Sequence, residues 1–272
     1  MRPRGGIVRV TVLLAGMLLA LPVTYRAQNT SAARIIIHRS VQANDADWKA
    51  QTGYSFRRSD VEGSERQTFE VTMLEGSPYE RLLALNDKLL PPEQQRQEQE
   101  KFEREVHDRR SETPRQRHSR IAKYENDRAD ENFLMRQLVS AFTFHLTGQE
   151  HVEGVDCYVL KATPNPAYRP PVEKARALTG MQGRMWIDKV HYHWVKIQAQ
   201  VIRPVAFGFI LARVKPGTRF ELEQTPIGDV WLPKKFIRSV NASVLGFYNL
   251  RSRDETYWSD YRPDNYALPV SR

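Results

Sequence analysis

Large apolar side chains stand on both faces of the same short stretches of this chain, which limits its fold more than any other feature. Trp186 lies between Met185 and Ile187, Trp231 between Val230 and Leu232, and Phe247 beside Tyr248. Around them the pattern has a period of two. Phe142, Phe144 and Leu146 alternate with polar neighbours, and Val195, Ile197, Ala199 and Val201 stand opposite Lys196, Gln198 and Gln200. Such alternation marks half-buried antiparallel strands, because successive side chains point to opposite faces. A strand wetted on one side has no reason to carry aromatics on both. Either helices cover each face, or the sheet bends and one face lines a hollow.

Similar runs occur near the start, at Tyr54 and Phe56, at Phe69, Val71 and Met73, and from Tyr79 to Leu85. Gly63-Ser64, Gly76-Ser77-Pro78, Asn86-Asp87, Gly154 and Gly228-Asp229 supply turn chemistry between them. The count is about eleven strands joined by short connections, one large antiparallel sheet. Apolar helical stretches are few. Ser31–Lys49, with Ile35, Ile36, Ile37, Val41 and Trp48 on a loosely helical face, and Leu134–Val139 are too little to cover two faces of so many strands. The expectation is an α+β, mainly antiparallel fold, a curved half-barrel with an N-terminal helix and a partly hollow, apolar interior.

The stretch from about 91 to 135 is different in kind. From Glu93 to Glu131, 21 of 39 residues are charged, eleven acids and ten bases, and β-branched residues are nearly absent. Two exposed helices are expected, the first after Pro91-Pro92, with a break at Thr113-Pro114. Arg109 to Lys123 holds six bases and one acid. This is either a patch for phosphate head groups or an acidic partner, or, favoured by the flanking acids, a solvated helix face.

Arg2, Arg4 and Arg9 precede an apolar run from Val10 to Val23, with Ala27 just beyond. A basic start, a short apolar core and a small residue describe a cleavable export signal over 1–27, leaving 28–272 as one β domain with a helical insert. The apolar run is short for a bilayer span of roughly 20 residues. Removing 1–27 lowers the net charge from +9 to +5, too little to suggest nucleic-acid binding. A single cysteine excludes an intramolecular disulfide framework and any multi-cysteine metal site.

Catalytic patterns are weak. No Gly-x-Ser-x-Gly elbow, glycine-rich phosphate loop or His-Glu-x-x-His occurs. His191 and His193 share a strand face, but no third ligand is marked by spacing. Cys157, with His145 as a conceivable neighbour, reads as a quiet buried thiol. Asp254 and Glu255 are adjacent on a strand and point apart, against shared acid–base work. No enzyme activity, metal or cofactor is expected.

Tyr54-Ser-Phe-Arg-Arg58, Gly183-Arg-Met-Trp-Ile-Asp188 followed by Trp194-Val-Lys-Ile197, and Gly228-Asp-Val-Trp-Leu-Pro233 resemble the LolA/LolB-like superfamily of bacterial envelope proteins, which includes lipoprotein-sorting carriers and RseB-type lipid sensors. The resemblance spans most of residues 31–262. It implies a half-barrel plugged by helices and a periplasmic carrier or sensor that takes a lipid or acyl group without chemistry. The expected partners are a lipid or lipidated protein, an envelope protein, and transiently a membrane surface. Phe142, Phe144, Trp186, Phe209, Trp231, Phe236 and Phe247 are the candidate lining residues. The alternative is a filled core with no ligand, and a partner docked on the charged insert.

Overall fold

The computed structural model describes residues 21–207, 212–244 and 248–264. Helix α1 (Leu21–Ala50) leads through a 3-10 turn into β1 (Tyr54–Glu62), β2 (Glu65–Leu74), β3 (Ser77–Leu85) and the two-residue β4 (Lys88–Leu89). Helices α2 (Pro92–Ser111) and α3 (Pro114–Ala141) follow, then β5 (Phe142–Val152) and β6 (Val155–Pro164). After a 3-10 segment at Glu173–Gly180 come β7 (Met181–Asp188), β8 (Trp194–Val201), β9 (Val205–Phe207) and β10 (Ala212–Val214). The chain finishes with β11 (Arg219–Ile227), β12 (Val230–Val244) and β13 (Tyr248–Pro263). The export signal expected over 1–27 falls largely outside the described residues, its last part being the start of α1.

The strands form one antiparallel sheet in the order β4-β3-β2-β1-β13-β12-β11-β8-β7-β6-β5, with β10 pairing β12 and β9 pairing β10. The last strand decides the architecture. β13 pairs with β12 on one side and β1 on the other, joining the early hairpins to the late ones. Because β4 and β5 do not pair with each other, the curved sheet stays open as a half-barrel. Short hairpins set the registers. Asn86 and Asp87 take φ of +51° and +61° between β3 and β4, a left-handed pair of positions that these two side chains tolerate. A Cβ at Gly183 would lie 2.7 Å from the Gln198 carbonyl oxygen, so β7 meets β8 there only through glycine.

The expected break between α2 and α3 is built as the sequence suggests. Thr113 accepts from the Gln116 N–H, the Gln116 side chain accepts from the Thr113 N–H, and Pro114 opens α3. The second helix runs on to Ala141, past the expected limit near 135, because Leu134, Met135, Leu138 and Val139 pack against the core. The insert straddles the β2–β3 edge. Phe102 of α2 lies against Tyr79, and Tyr124 of α3 meets Met73, whose side chains project from opposite faces.

The basic stretch is neither a free patch nor simply a solvated face. Arg109 is 7% exposed; it donates to the carbonyls of Leu74 and Ser77 at 2.8 Å and to Pro78 at 3.3 Å, and pairs with Glu105. Arg120 forks onto Glu112 and reaches Ser77 Oγ and the Glu75 carbonyl. Arg117 caps the Arg109 carbonyl. Arg109 and Arg120 therefore fasten the elbow of the insert to the β2–β3 hairpin, satisfying carbonyls that the turn leaves unpaired, and Arg117 pairs with Glu75 of the same turn.

Arg109→Ala should destabilise the protein by about 2–4 kcal/mol, since buried carbonyls lose charged donors, whereas Arg115→Ala, at an exposed position in the same stretch, should stay within about 0.5 kcal/mol. Urea melts of the two variants separate these outcomes. Hydrogen bonds from Arg120 hold the Glu112 carboxyl below the usual glutamate range. A carboxyl whose pKa falls on folding contributes stability above its unfolded value and loses it as pH drops through the folded one. Glu112→Gln should therefore show a shallower loss of stability through the acid limb than the native chain.

Candidate functional site

Alternation along β6 and β7 divides the aromatic residues between two faces. Leu160 pairs with Met185 and Tyr158 with Ile187 on one face, and Val159 pairs with Trp186 on the other. The first face carries a buried cluster of Phe142, Phe144, Leu160, Met185, Ile187 and Trp194, with Ala33, Ile36 and Ile37 of α1 upon it. The second carries a smaller cluster, Cys157, Val159, Trp186, Val195 and Trp231. A register shift opposite Trp186 and Ile187 breaks the stripe expected on β8: Trp194 joins the helix side and Val195 the other. Of the seven candidate lining residues, Phe142 and Phe144 thus sit under α1, Trp186 and Trp231 pack together on the far face, and Phe236 is half-buried on β12. Phe209 and Phe247 lie outside the described residues.

What seats α1 is the segment His191-Tyr-His-Trp194. Asp47, 4% exposed, accepts from His193 Nδ1 at 2.7 Å and from the Trp231 N–H at 3.0 Å. The His193 ring stacks on Trp231 at 5.8 Å between centroids. Trp194 Nε1 donates to Ser40 Oγ, and Arg39 donates to and lies over Tyr192. Asp188 shapes the turn by accepting from the N–H groups of Val190 and His191. Of the two histidines considered as metal ligands, His193 is spent on Asp47, and among the described residues no group of three or more His, Cys, Asp or Glu stands ready to hold a metal ion.

The helices cover only part of the sheet. α1 packs on β5 and, through Asp47, at the start of β12, while α3 packs on β5 and β3. Between these seats the same face crosses β11, β12, β13, β1 and β2. Leu222 pairs with Phe236, Phe236 with Thr256, Arg58 with Trp258 and Arg58 with Phe69. Phe69, Phe220, Leu222, Phe236 and Trp258 are all half-buried. Charges are set among them in closed pairs: Arg58 forks onto Glu80 and also bonds Asp60, and Arg238 pairs with Asp254. The strip is apolar with fixed polar punctuation. Only Phe236 of it was legible as a candidate, since its other members come together through β13, a pairing that no local pattern announces.

The other face holds a hollow of about 830 Å³. About half of its lining is polar, with Lys161, Gln182, Arg184, Gln198, Gln200, Arg219, Glu221, Ser239 and Arg253 contributing. Cys157 is fully buried beneath that face, and burial together with the nearby Asp188 and Asp156 carboxylates pushes its thiol up to about 11. His145 pairs with Lys161 in the ladder, and Cys157 with Glu150, so the two are not brought together. Asp254 and Glu255 turn to opposite partners, Arg238 and Arg253.

No known family model matches the chain, and no curated protein does. The chain is similar to the solved structure of a DUF1329 family protein from Desulfovibrio piger, at 12% identity over 89% of this chain and 95% of that one, with a TM-score of 0.33. It is also similar to an outer membrane lipoprotein-sorting protein domain from Vibrio parahaemolyticus, at 13% identity over 86% and 95% of the two chains, with a TM-score of 0.32. A LolA superfamily protein from Nitrosomonas europaea stands at 12% identity, 87% and 94% coverage and a TM-score of 0.31.

Two outcomes follow for this site. Asp47→Ala should cost about 3–5 kcal/mol, because His193 and the Trp231 N–H lose a buried carboxylate partner, and should loosen α1 first, which hydrogen exchange of residues 31–50 would register. Cys157 should resist alkylation at pH 8 in the native chain and react fully in urea; rapid native labelling would contradict its burial.

Proposed function

We propose that the chain is a non-catalytic carrier or sensor of the bacterial periplasm that binds a lipid or acyl group on the helix side of its open sheet. The observation that carries this reading is the half-buried strip of Phe69, Phe220, Leu222, Phe236 and Trp258 between the two seats of the helical lid. Large apolar side chains left partly wet in the middle of a sheet favour a ligand that completes their burial. The energetics suit transfer. A methylene gains about 0.8 kcal/mol on leaving water for either a membrane or a protein cavity, so exchange between them is nearly balanced. The paired charges Arg238–Asp254 and Arg58–Glu80 would orient a polar head group beside the acyl contact. The resemblance to lipoprotein-sorting carriers points the same way, with a lipid or lipidated protein as cargo and envelope proteins and the membrane surface as transient partners. The chain beyond residue 27 would act as one unit, with α2 and α3 as its insert. The basic stretch of that insert offers little for docking, since Arg109, Arg117 and Arg120 are engaged with the β2–β3 hairpin.

Displacement of a fluorescent fatty-acid analogue tests the reading. Phe236→Asp should weaken binding by roughly thirtyfold, the loss of about 2 kcal/mol of apolar contact, and Leu222→Gln should weaken it in the same direction. Retained binding in both folded variants, or no binding by the native chain, would overturn it.

A further inference from the structure

The polar hollow on the face away from α1 has a charge arrangement of its own. Four bases and one acid line it: Lys161, Arg184, Arg219, Arg253 and Glu221. Three of these charges are already answered. Arg184 pairs with Glu150 at 2.7 Å and Arg253 with Glu255 at 2.7 Å, while Glu221 holds Lys235 at 2.8 Å and also faces Lys196. Lys161 and Arg219 form no ion pair or side-chain hydrogen bond among the described residues, so two positive charges remain. In the ladder Lys161 pairs with Arg184, Arg184 with Gln198, and Gln198 with Glu221, two residues from Arg219. Three strand spacings and that offset separate the two cations by about 15 Å.

The floor between them is built of amides and hydroxyls. Gln182 pairs with Gln200, and Gln200 with Arg219; Ser239 lies beyond Arg219, and Thr147 stands at the β5 side. Amides offer a donor and an acceptor on one planar group, which matches ligand hydroxyls that both donate and accept. Ile237 is the one large apolar side chain that the register turns into this space, Phe220 pointing to the helix side, which disfavours an acyl chain. The hollow lies over the face of the sheet, where the backbone groups are consumed by the ladders, so an extended peptide has no edge to pair with.

We propose that this hollow binds an acidic oligosaccharide, with anionic groups at Lys161 and Arg219 and its hydroxyls on the glutamine floor. The site is separate from the acyl strip, which lies on the opposite face of the same sheet, and the two can be occupied independently.

Calorimetric titration with tetragalacturonate tests this on the full chain, comparing it with Lys161→Gln, Arg219→Gln and the double variant. Both positions are exposed, so folding should be unchanged, as circular dichroism would verify. The native chain should bind, each single variant should bind about tenfold more weakly, and the double variant should lose binding. Raising the salt should weaken the native interaction, and neutral maltotetraose should not bind. Equal binding by the double variant, or none by the native chain, would overturn the proposal. Binding of hexaglutamate as tight as that of the sugar would overturn its assignment to a saccharide. Fatty-acid binding should persist in the double variant, so failure here is distinguishable from failure of the acyl site.

Discussion

One buried carboxylate ties the layers of this protein together. Asp47 of α1 accepts from a histidine on the β7–β8 turn and from the backbone at the start of β12, segments 146 and 184 residues away along the chain. A buried carboxylate persists only where its oxygens are satisfied, and both are here. That requirement sets where α1 lies, and hence which face of the sheet is covered. Ser40, Trp194, Arg39 and Tyr192 strengthen the same seat. The clamp holds α1 at the β7–β8 turn and the start of β12, while its apolar face lies on the β5–β8 cluster.

The two faces of the open sheet consequently differ in character. On the helix side a buried cluster near β5–β8 grades into a half-buried apolar strip near β11–β2, with salt bridges spaced along it. On the other side a small tryptophan cluster borders a wide polar hollow with two unanswered cations. One sheet can therefore present both a greasy and a charged surface, and the large apolar side chains of β7 and β12 are shared between two cores.

Much of this was legible locally. The break at Thr113-Pro114, the α1 helix, the turn at Asn86-Asp87 and the strand count follow from capping, proline and period-two rules acting over a few residues. The site was less legible, because it depends on pairings between distant strands. Trp186 and Phe144 look alike in sequence, and only the register shows that they stand on opposite faces. Val195 appeared to belong with Ile197, until the bulge beside Ile187 moved it across. His193 carried a metal-like signal whose true partner, Asp47, no spacing rule connects to it. The basic run at 109–123 was ambiguous for the same reason: its partners are carbonyls of a hairpin more than thirty residues upstream.

The claim that an acyl group occupies the strip left between the lid's two seats is tested most directly by photo-crosslinking with a diazirine-bearing fatty acid, followed by peptide mapping of the adducts. Resolved to single residues, labels should fall on Leu222, Phe236 and Trp258, and excess unlabelled fatty acid should suppress them. Labelling confined to the polar hollow or to the Trp186–Trp231 cluster, or labelling that competitor does not suppress, would contradict the account.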